Sequence, residues 1–342
     1  MISIHRKIDL KRSVCFNNET KRQNIGADFR SEVIAREICG LQEQTVNGSR
    51  EPAVERNRKM NSKIKRPIDE GDWNMAFLFP DEVAAARSRN GLVILPLAPV
   101  EWHGPHLAMG CDALLAHAFA RRLARELECP YYPPLFVSTE RQRPPKVLEA
   151  LGFDKDARIE GMDFPNNSVA SAYFREEVFA LVVRDILKIL FDRMRFEYVL
   201  IVNGHGADNQ KDVLNRICHE YNAGTTGTPR VFWVYPGFPR SLLAGSIGHA
   251  ASEETSMLES CWPGCTDISR LPAEGKLRNV DYAIIDGDTF DCAPTPDHTL
   301  RDAQDPRFHT DVAWGAMQME TAAHEVIEDV RKLWFNAKAG AQ

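Results

Sequence analysis

The sequence predicts an α/β protein, a three-layer α/β/α sandwich around a mostly parallel sheet. Two observations carry this prediction. Short, continuous apolar runs recur along the chain, and amphipathic helical segments separate them. The first two runs each end in a loop rich in glycine and polar residues, as strands do at the carboxyl edge of a parallel sheet. With 342 residues, of which 44% are hydrophobic and 26% charged, the chain is long enough to bury a large core.

The first half of the chain supplies two helices and one strand. Residues 80–89 are predicted to form a short capped helix that ends at Asn90-Gly91, a dipeptide that stops helices. The apolar run at residues 92–97 indicates a buried parallel strand. Residues 113–127 are predicted to be a helix because their apolar residues recur at spacings of three and four. The long, proline-rich connection at residues 130–167 is expected to be a lid or a wall of a binding site.

The second half repeats the alternation of helix and strand. Residues 172–193 are predicted to form a strongly amphipathic helix that leads into a strand at residues 198–202. A third strand is predicted at residues 230–235. A capped helix is expected to begin near Ser252, because Ser-x-x-Thr precedes two apolar residues. Residues 310–333 complete the domain as a last amphipathic helix, and the chain contains no internal repeat and no glycine-rich phosphate loop.

Charge and hydrophobicity exclude two classes of partner. The net charge is −6, which argues against nucleic acid, because phosphate binding requires a concentrated basic face. No apolar run approaches the roughly 18 residues that a membrane span requires. The cysteines are scattered without a C-x-x-C pair, and no signal peptide is recognised, so the protein is predicted to be cytoplasmic with reduced thiols.

The amino-terminal part differs chemically from the rest of the chain. Residues 1–66 hold 15 Lys or Arg against 8 Asp or Glu, whereas the remaining residues hold 27 against 40. This polar, basic extension lacks sustained periodicity and is predicted to be disordered or a short docking arm. Translation from Met60 is an alternative. The folded domain is expected to span residues 67–342.

Residues with metal-ligand chemistry follow the first two predicted strands. Glu101, His103 and Asp112 come after the first strand, and His205 comes after the second. Carboxylate oxygens and imidazole nitrogens gathered at the carboxyl edge of a sheet suit zinc or manganese. Asp112 also precedes a helix, where an aspartate often serves only as the N-cap.

Three blocks of sequence resemble the creatininase (creatinine amidohydrolase) family. They are Glu101-Trp102-His103-Gly104-Pro105-His106 with Asp112 after it, Asn203-Gly204-His205, and the block from His249 to Ser256 that contains Glu254-Thr255-Ser256. They occur in the family's order, and the resemblance covers residues 73–333. It implies a creatininase-like α/β/α fold, a homohexamer, and one or two divalent metal ions per subunit, Zn and/or Mn.

The resemblance also implies roles for individual residues. Glu101, Asp112 and His205 would hold one metal, while His103 and a bridging Asp112 would hold the other. Creatininase completes the second position with a glutamate two residues after the histidine that matches His205, but this chain has Ala207 there. Glu254 is expected to replace that glutamate, Asp208 is the second candidate, and a single-metal enzyme is the alternative.

Other polar residues receive less specific expectations. His249 matches the histidine to which the family assigns proton transfer. His106 is expected to support the metal ligands rather than bind metal. Glu140, Arg141 and Arg143 are candidates for substrate contact or, alternatively, ordinary surface charges. Gly245 occupies the position of a creatininase tryptophan, so creatinine itself is not the expected substrate.

The predicted function is therefore a metal-dependent hydrolase of a non-peptide C–N bond. The substrate would be a small molecule, either a cyclic amide or a small linear amide such as a formamide, and the nucleophile would be a metal-activated water. One alternative is a maturation peptidase that acts on a small peptide. The other is a non-catalytic oligomeric scaffold, which only the missing glutamate at Ala207 favours.

Overall fold

The central sheet contains three parallel strands in the order β1-β2-β3. The computed structural model describes residues 72–150, 152–165, 167–225, 228–243, 248–280, 283–285 and 302–335, so the predicted extension at residues 1–66 lies outside the described residues. The strands are β1 (Leu92–Leu97), β2 (Tyr198–Asn203) and β3 (Val231–Val234). Leu97 pairs with Asn203, so β1 and β2 end at the same edge. A separate antiparallel pair consists of β4 (Arg278–Val280) and β5 (Ala283–Ile285).

Helices cover both faces of the sheet and confirm the predicted three-layer α/β/α arrangement. In chain order the helices are α1 (Pro80–Asn90), α2 (Cys111–Leu127), α3 (Pro145–Ala150), α4 (Glu176–Lys188), α5 (Asp208–Asn222), α6 (Arg240–Leu243), α7 (Ser252–Cys261), α8 (Pro306–His309) and α9 (Val312–Val330). One turn of π-helix follows α4 at Ile189–Arg193, and another follows α9 at Arg331–Phe335.

Alternating residues of the strands divide the core between the two faces. Leu92 and Ile94 of β1 pack with α2, α7 and α9 on one face, while Val93 and Leu95 pack with α4 and α5 on the other. All four are fully buried. Burial of such a side chain contributes about 1.5–3 kcal/mol. Because both faces are covered, β1 is apolar throughout, as the sequence analysis predicts for a buried parallel strand.

The start of the long connection extends the sheet beyond β1. The Tyr132 N–H donates to Ile94 O at 2.7 Å, and the Leu135 N–H donates to Pro96 O at 3.0 Å. Residues 131–135 therefore run parallel to β1 on the side away from β2. The predicted connection from residue 130 therefore begins with a segment that is hydrogen-bonded to β1. The backbone groups of this apolar segment form hydrogen bonds with the free edge of β1.

One predicted helix start and one predicted cap differ from the structure. The helix predicted from residue 172 begins at Glu176, because the Ala172 N–H donates to Val100 O at 2.7 Å and holds that segment against the residues after β1. Helix α7 begins at Ser252 as predicted, but its N-cap is Ala251, which provides no side-chain cap. Thr255 instead donates its hydroxyl to the Ala251 carbonyl at 2.8 Å.

Within the described ranges, no helix is both long enough and apolar enough to cross a bilayer. The cysteines of the described part are free, namely Cys111, Cys129, Cys218, Cys261 and Cys265. The cytoplasmic location stays a prediction.

Helices α7 and α9 approach each other closely at a glycine. A β-carbon at Gly315 would overlap Ser256 O and would lie 2.7 Å from Met257 N. The amino end of α9 is fixed at the same place, where the Asp311 N–H donates to the Ser256 hydroxyl at 2.9 Å. Only a residue without a side chain allows this contact.

The substitution Gly315→Ala is expected to lower the free energy of unfolding by about 1–3 kcal/mol, because overpacking outweighs the better helix propensity of alanine. Met317→Ala is the control on the same helix, since Met317 is 54% exposed. Its effect should stay within about 0.5 kcal/mol. Urea denaturation followed by circular dichroism measures both. Equal stability of Gly315→Ala and the wild type would contradict the close packing.

Candidate metal centre

The loops after β1 and β2 lie side by side because the two strands end in register. The Gly204 N–H donates to Leu97 O at 2.9 Å and extends the pairing by one residue. The loop after β1 is held from its other side, where the Glu101 N–H donates to Met109 O at 2.8 Å. Glu101 and His205 therefore enter the same space at the carboxyl edge of the sheet.

The block Asn203-Gly204-His205 has a physical explanation in the structure. The buried Asn203 amide donates to His205 O at 2.8 Å and accepts from His205 N at 3.3 Å, which closes a tight turn. Gly204 lies against helix α2, where a β-carbon would come 2.5 Å from Asp112 O and 2.8 Å from Ala98 Cβ. The asparagine shapes the turn, and the glycine allows the histidine to approach Asp112.

Asp112 is not the N-cap of α2. Helix α2 begins at Cys111 with Gly110 as its N-cap, so Asp112 lies in the first turn. Its carboxylate contacts two imidazoles. Oδ1 lies 3.0 Å from His103 Nε2, and Oδ2 lies 3.2 Å from His205 Nδ1. The capping alternative is therefore wrong, and the two oxygens of Asp112 face two different histidines.

The three residues predicted for the first metal position converge. Glu101, Asp112 and His205 present ligand atoms within 4.8 Å of one another, and all three are buried. His205 Nδ1 lies 3.2 Å from Asp112 Oδ2 and 3.4 Å from Glu101 Oε2. Ligands of a tetrahedral ion at about 2.1 Å stand about 3.4 Å apart. The separations match that spacing.

A second group forms on the other side of Asp112. His103 Nε2 lies 3.0 Å from Asp112 Oδ1 and 4.0 Å from Glu254 Oε2. His103 Nδ1 donates to Glu101 O at 3.1 Å, which leaves Nε2 directed at the carboxylates. Asp112 therefore connects two adjacent groups of candidate ligands, as the resemblance implies for a bridging aspartate.

The two candidates for the replacement ligand differ sharply in position. Glu254, in the first turn of α7, is nearly buried and directs Oε2 toward His103. The side chain of Asp208 is 89% exposed and pairs with Lys211 at 2.6 Å. Ala207 is buried and is the N-cap of α5. The structure brings Glu254 to the cluster and leaves Asp208 in solvent.

His249 lies directly beside the cluster. Its ring stacks on His103 with centroids 4.0 Å apart, and its Nε2 lies 3.1 Å from Trp102 O. Since a carbonyl oxygen only accepts, Nε2 carries the hydrogen of a neutral ring and Nδ1 keeps a lone pair. The next residue, Ala250, has a φ of 55°, a left-handed conformation that costs about 1–2 kcal/mol in a residue with a side chain. Its N–H donates to Glu254 Oε2 at 2.5 Å.

The pKa values of the cluster reflect burial and mutual charge. Burial opposes the charged form of His103, but Asp112, Glu101 and Glu254 outweigh it and raise its pKa to about 10. The pKa of His205 rises in the same way beside Glu101 and Asp112. Burial raises the pKa of Glu254 to about 7. Burial and the charge on His103 lower the pKa of His249 to about 4. The raised pKa values of His103 and His205 reflect the negative charge of the buried carboxylates around them.

The donor set fits a divalent cation. Glu101 Oε2 is buried without a hydrogen-bond partner and faces His205 Nδ1 at 3.4 Å. Unpaired buried polar atoms cost about 1–3 kcal/mol each, so they mark places where an ion or water belongs. Oxygen and nitrogen donors suit Zn or Mn, and a dication would offset the negative charge of the carboxylates.

The other polar residues considered in the sequence analysis lie in different surroundings. His106 is buried with Nε2 at 3.2 Å from the Thr255 hydroxyl, and burial lowers its pKa to about 4. Arg143 is buried and donates to Gly161 O at 2.7 Å, so it supports the connection. Arg141 is exposed and pairs with Glu176. Glu140 places Oε2 at 3.6 Å from His205 Nε2. Gly245 lies outside the described residues.

Sequence reasoning missed Tyr173 and a buried amide network. Tyr173 donates its hydroxyl to Glu101 Oε1. Gln210 accepts from the Ser138 hydroxyl at 2.5 Å and donates to Asn203 Oδ1 at 2.7 Å. The apolar residues 135–137 end in Ser-Thr-Glu, just as the apolar run of β1 ends before Glu101. That parallel is the signal from which another strand end, and hence Glu140, was predictable.

Comparison with known proteins identifies the family and agrees with the fold. A sequence model of the family described as creatininase, creatinine amidohydrolase, matches residues 78–329. Among solved structures, a crystal structure of creatinine amidohydrolase (creatininase) superposes with a TM-score of 0.55 at 18% identity, covering 78% of this chain and 99% of that one. A creatininase Mn structure gives 0.53 at 18% identity over 77% and 99%. A mutant creatininase of Zn-Zn type gives 0.53 at 18% over 78% and 99%. No curated protein matches the chain.

The substitution Gly204→Ala is expected to push the His205 loop away from Asp112 and to lower the free energy of unfolding by about 1–3 kcal/mol. Gly206→Ala is the matched control two residues away, because a β-carbon at Gly206 meets nothing within 4 Å. Its effect should stay within about 0.5 kcal/mol. Denaturation in the presence of a chelator measures both without a contribution from bound metal. Equal effects of the two variants would refute the close approach at Gly204.

Proposed function

This chain belongs to the creatininase family, and we propose that it is a metal-dependent amidohydrolase that cleaves a non-peptide C–N bond in a cyclic amide or a small linear amide. The observation that carries the proposal is the convergence of Glu101, Asp112 and His205 within 4.8 Å at the edge of the sheet. The names of two similar structures, one with Mn and one of Zn-Zn type, support these ions as the candidates.

Two adjacent positions would hold the ions. Glu101, Asp112 and His205 would hold the first, and His103, Asp112 and Glu254 would hold the second. The contact of each Asp112 oxygen with a different histidine supports the bridging role. When bound, a divalent ion lowers the pKa of water toward about 7 and polarises an amide carbonyl.

His249 is suited to move the proton of the reaction. Hydrolysis adds water to the carbonyl carbon, breaks the C–N bond and transfers a proton from the water to the departing nitrogen. Because Nε2 of His249 is engaged by Trp102 O, Nδ1 accepts the proton and then returns it. The stacking of His249 on His103 keeps this ring beside the ligand cluster.

Burial supports a small substrate and an active site rather than a scaffold. His103 is fully buried, and Glu101 and His205 are nearly so. A scaffold gains nothing from a buried carboxylate oxygen without a hydrogen-bond partner, because such an atom lowers its stability. We also propose a homohexamer, as the family resemblance implies. Exposed Phe136 and Phe174, on segments joined by the Phe174 N–H bond to Ser138 O, support an association surface.

Metal content and turnover test the proposal together. The wild type should retain one or two ions per subunit after incubation with Zn or Mn and desalting, and should hydrolyse members of a panel of cyclic amides and formamides. Glu101→Ala and His205→Ala should lose an ion and turnover. His249→Ala should keep its metal and lose about 10²–10⁴-fold in turnover. The exposed His324 gives the control His324→Ala, which should retain both properties.

Plasma mass spectrometry and product analysis give the two readouts. Retained metal and unchanged turnover in Glu101→Ala and His205→Ala would refute the assignment of these residues as metal ligands. Turnover of short peptides in the same panel, without turnover of other amides, would favour the maturation peptidase. A wild type that binds no ion in a calorimetric titration would favour the scaffold.

The identity of the second-position ligand has its own test. Glu254→Gln should lower the number of bound ions from two to one or weaken the second ion measurably, because it removes a charged donor near His103. Asp208→Asn makes the same chemical change on an exposed side chain and should leave binding unchanged. Calorimetric titration with Zn compares the two. Equal stoichiometry and affinity in both variants would remove Glu254 from the site.

A further inference from the structure

Residues 136–173 are referred to below as the outer segment. We propose that the outer segment positions two ligands of the first metal position through side-chain contacts: Tyr173 contacts Glu101, and Glu140 contacts His205. The affinity of that position for its ion would then depend on the outer segment, not only on the ligands. This inference rests on the proposed function, because it concerns the same metal position, and it adds two positioning residues to it.

Tyr173 fixes the carboxylate of Glu101. Its hydroxyl donates to Glu101 Oε1, which leaves Oε2 as the buried oxygen without a hydrogen-bond partner. Oε2 is the oxygen that faces His205 Nδ1 at 3.4 Å. The tyrosine therefore engages one oxygen of the carboxylate and leaves the other free for an ion.

Glu140 faces the far side of the His205 ring. Its Oε2 lies 3.6 Å from His205 Nε2, and its side chain is only 20% exposed. The Nε2 atom is buried and has no hydrogen-bond partner. At 3.6 Å the contact lies just beyond hydrogen-bond length, and a shift of about 0.5 Å closes it. With Nδ1 directed at Glu101 and Asp112, the ring is arranged as in sites where the second nitrogen of a metal-bound imidazole donates to a carboxylate.

Gly161 brings the two positioning residues together. A β-carbon at Gly161 would overlap Glu140 Cγ and would lie 2.8 Å from the Tyr173 hydroxyl. The backbone at Gly161 has a φ of 53°. It is held by Gly161 N donating to Arg141 O at 3.2 Å and by the Arg143 side chain donating to Gly161 O. A glycine is required here, because both side chains fill the space that a methyl group would need.

The outer segment is also tied to the backbone of the ligand loop. The Trp102 N–H donates to the Ser171 hydroxyl at 3.0 Å, and the Ala172 N–H donates to Val100 O at 2.7 Å. The indole of Trp102 is buried in a small core that the outer segment supplies, with Leu148, Ile159 and Phe164. Glu101 thus lies between two backbone attachments to the outer segment.

Gln210 ties the other end of the outer segment to the His205 turn. Its amide accepts from Thr139 N at 2.9 Å and donates to Asn203 Oδ1 at 2.7 Å. Thr139 precedes Glu140, and Asn203 forms the turn that carries His205. This side chain therefore sets the distance between Glu140 and His205. Loss of such outer partners typically weakens metal binding by about 10–100-fold.

The test uses the full-length protein and Zn²⁺ or Co²⁺ alone as the probe. Tyr173→Phe and Glu140→Gln each remove one outer partner with little change in volume. Glu149→Gln is the matched control for Glu140→Gln, because it removes the same charge from an exposed position of the same segment. Competition with a chelating dye gives the dissociation constants. Absorption of the Co²⁺ form reports ligand geometry, and thermal melting with a chelator reports stability without metal.

We expect Tyr173→Phe and Glu140→Gln to bind Zn²⁺ about 10–100-fold more weakly and to alter the Co²⁺ spectrum. Tyr173→Phe also removes the hydrogen bond to the buried Glu101 carboxylate, so its melting temperature in chelator should fall, whereas that of Glu140→Gln should stay unchanged. Glu149→Gln should match the wild type in all three. Gly161→Ala, which displaces both partners, should weaken binding at least as much as either variant.

Unchanged Zn²⁺ affinity and Co²⁺ spectra in Tyr173→Phe and Glu140→Gln would overturn the inference. Loss of one whole equivalent of metal in Glu140→Gln would also overturn it, because Glu140 would then be a ligand itself. If the wild type binds no Zn²⁺ or Co²⁺, the proposed function fails first, and this inference falls with it.

Discussion

Negative charge buried at the carboxyl edge of the sheet is the constraint on which the site depends. Glu101, Asp112 and Glu254 are all buried within one small region, and like charges about 4 Å apart repel by about 4 kcal/mol at a protein-like dielectric constant. The fold offsets part of this repulsion. Asp112 lies in the first turn of α2 and Glu254 in the first turn of α7, where the positive ends of the helix dipoles favour carboxylates. The imidazoles of His103 and His205 lie against the same carboxylates, which raise the pKa of both rings.

Much of this arrangement was predictable because it follows from local patterns. Buried strands read as continuous apolar runs, and parallel strands must end at a common edge, so Glu101 and His205 were expected to meet there. The family's three blocks of sequence favoured Glu254 as the replacement ligand, although Asp208 is closer to His205 in the sequence. The structure leaves the side chain of Asp208 in solvent. Sequence alone did not decide whether Asp112 caps α2, since an aspartate at a helix start serves either purpose. The position of Gly110 as the N-cap decides it.

The contacts that escaped prediction are long-range and made by the outer segment. Tyr173 reaches Glu101 because Ala172 pairs with Val100, a pairing for which the helical periodicity of residues 172–193 gave no sign. Glu140 faces His205 because residues 131–135 extend the sheet beyond β1, which the prolines of that region obscured. In both cases a backbone pairing between distant segments overrides local propensity, and single-sequence patterns do not encode such pairings.

The placement of Trp102 has an evolutionary consequence. This residue stands between two candidate ligands in the chain, yet its indole belongs to the small hydrophobic cluster with Leu148, Ile159 and Phe164. Mutations that reshape that cluster to admit a new molecule therefore move the backbone that carries Glu101 and His103. Any change of the cluster around Trp102 is thus mechanically coupled to the positions of Glu101 and His103, so a change in one must be accompanied by compensation in the other.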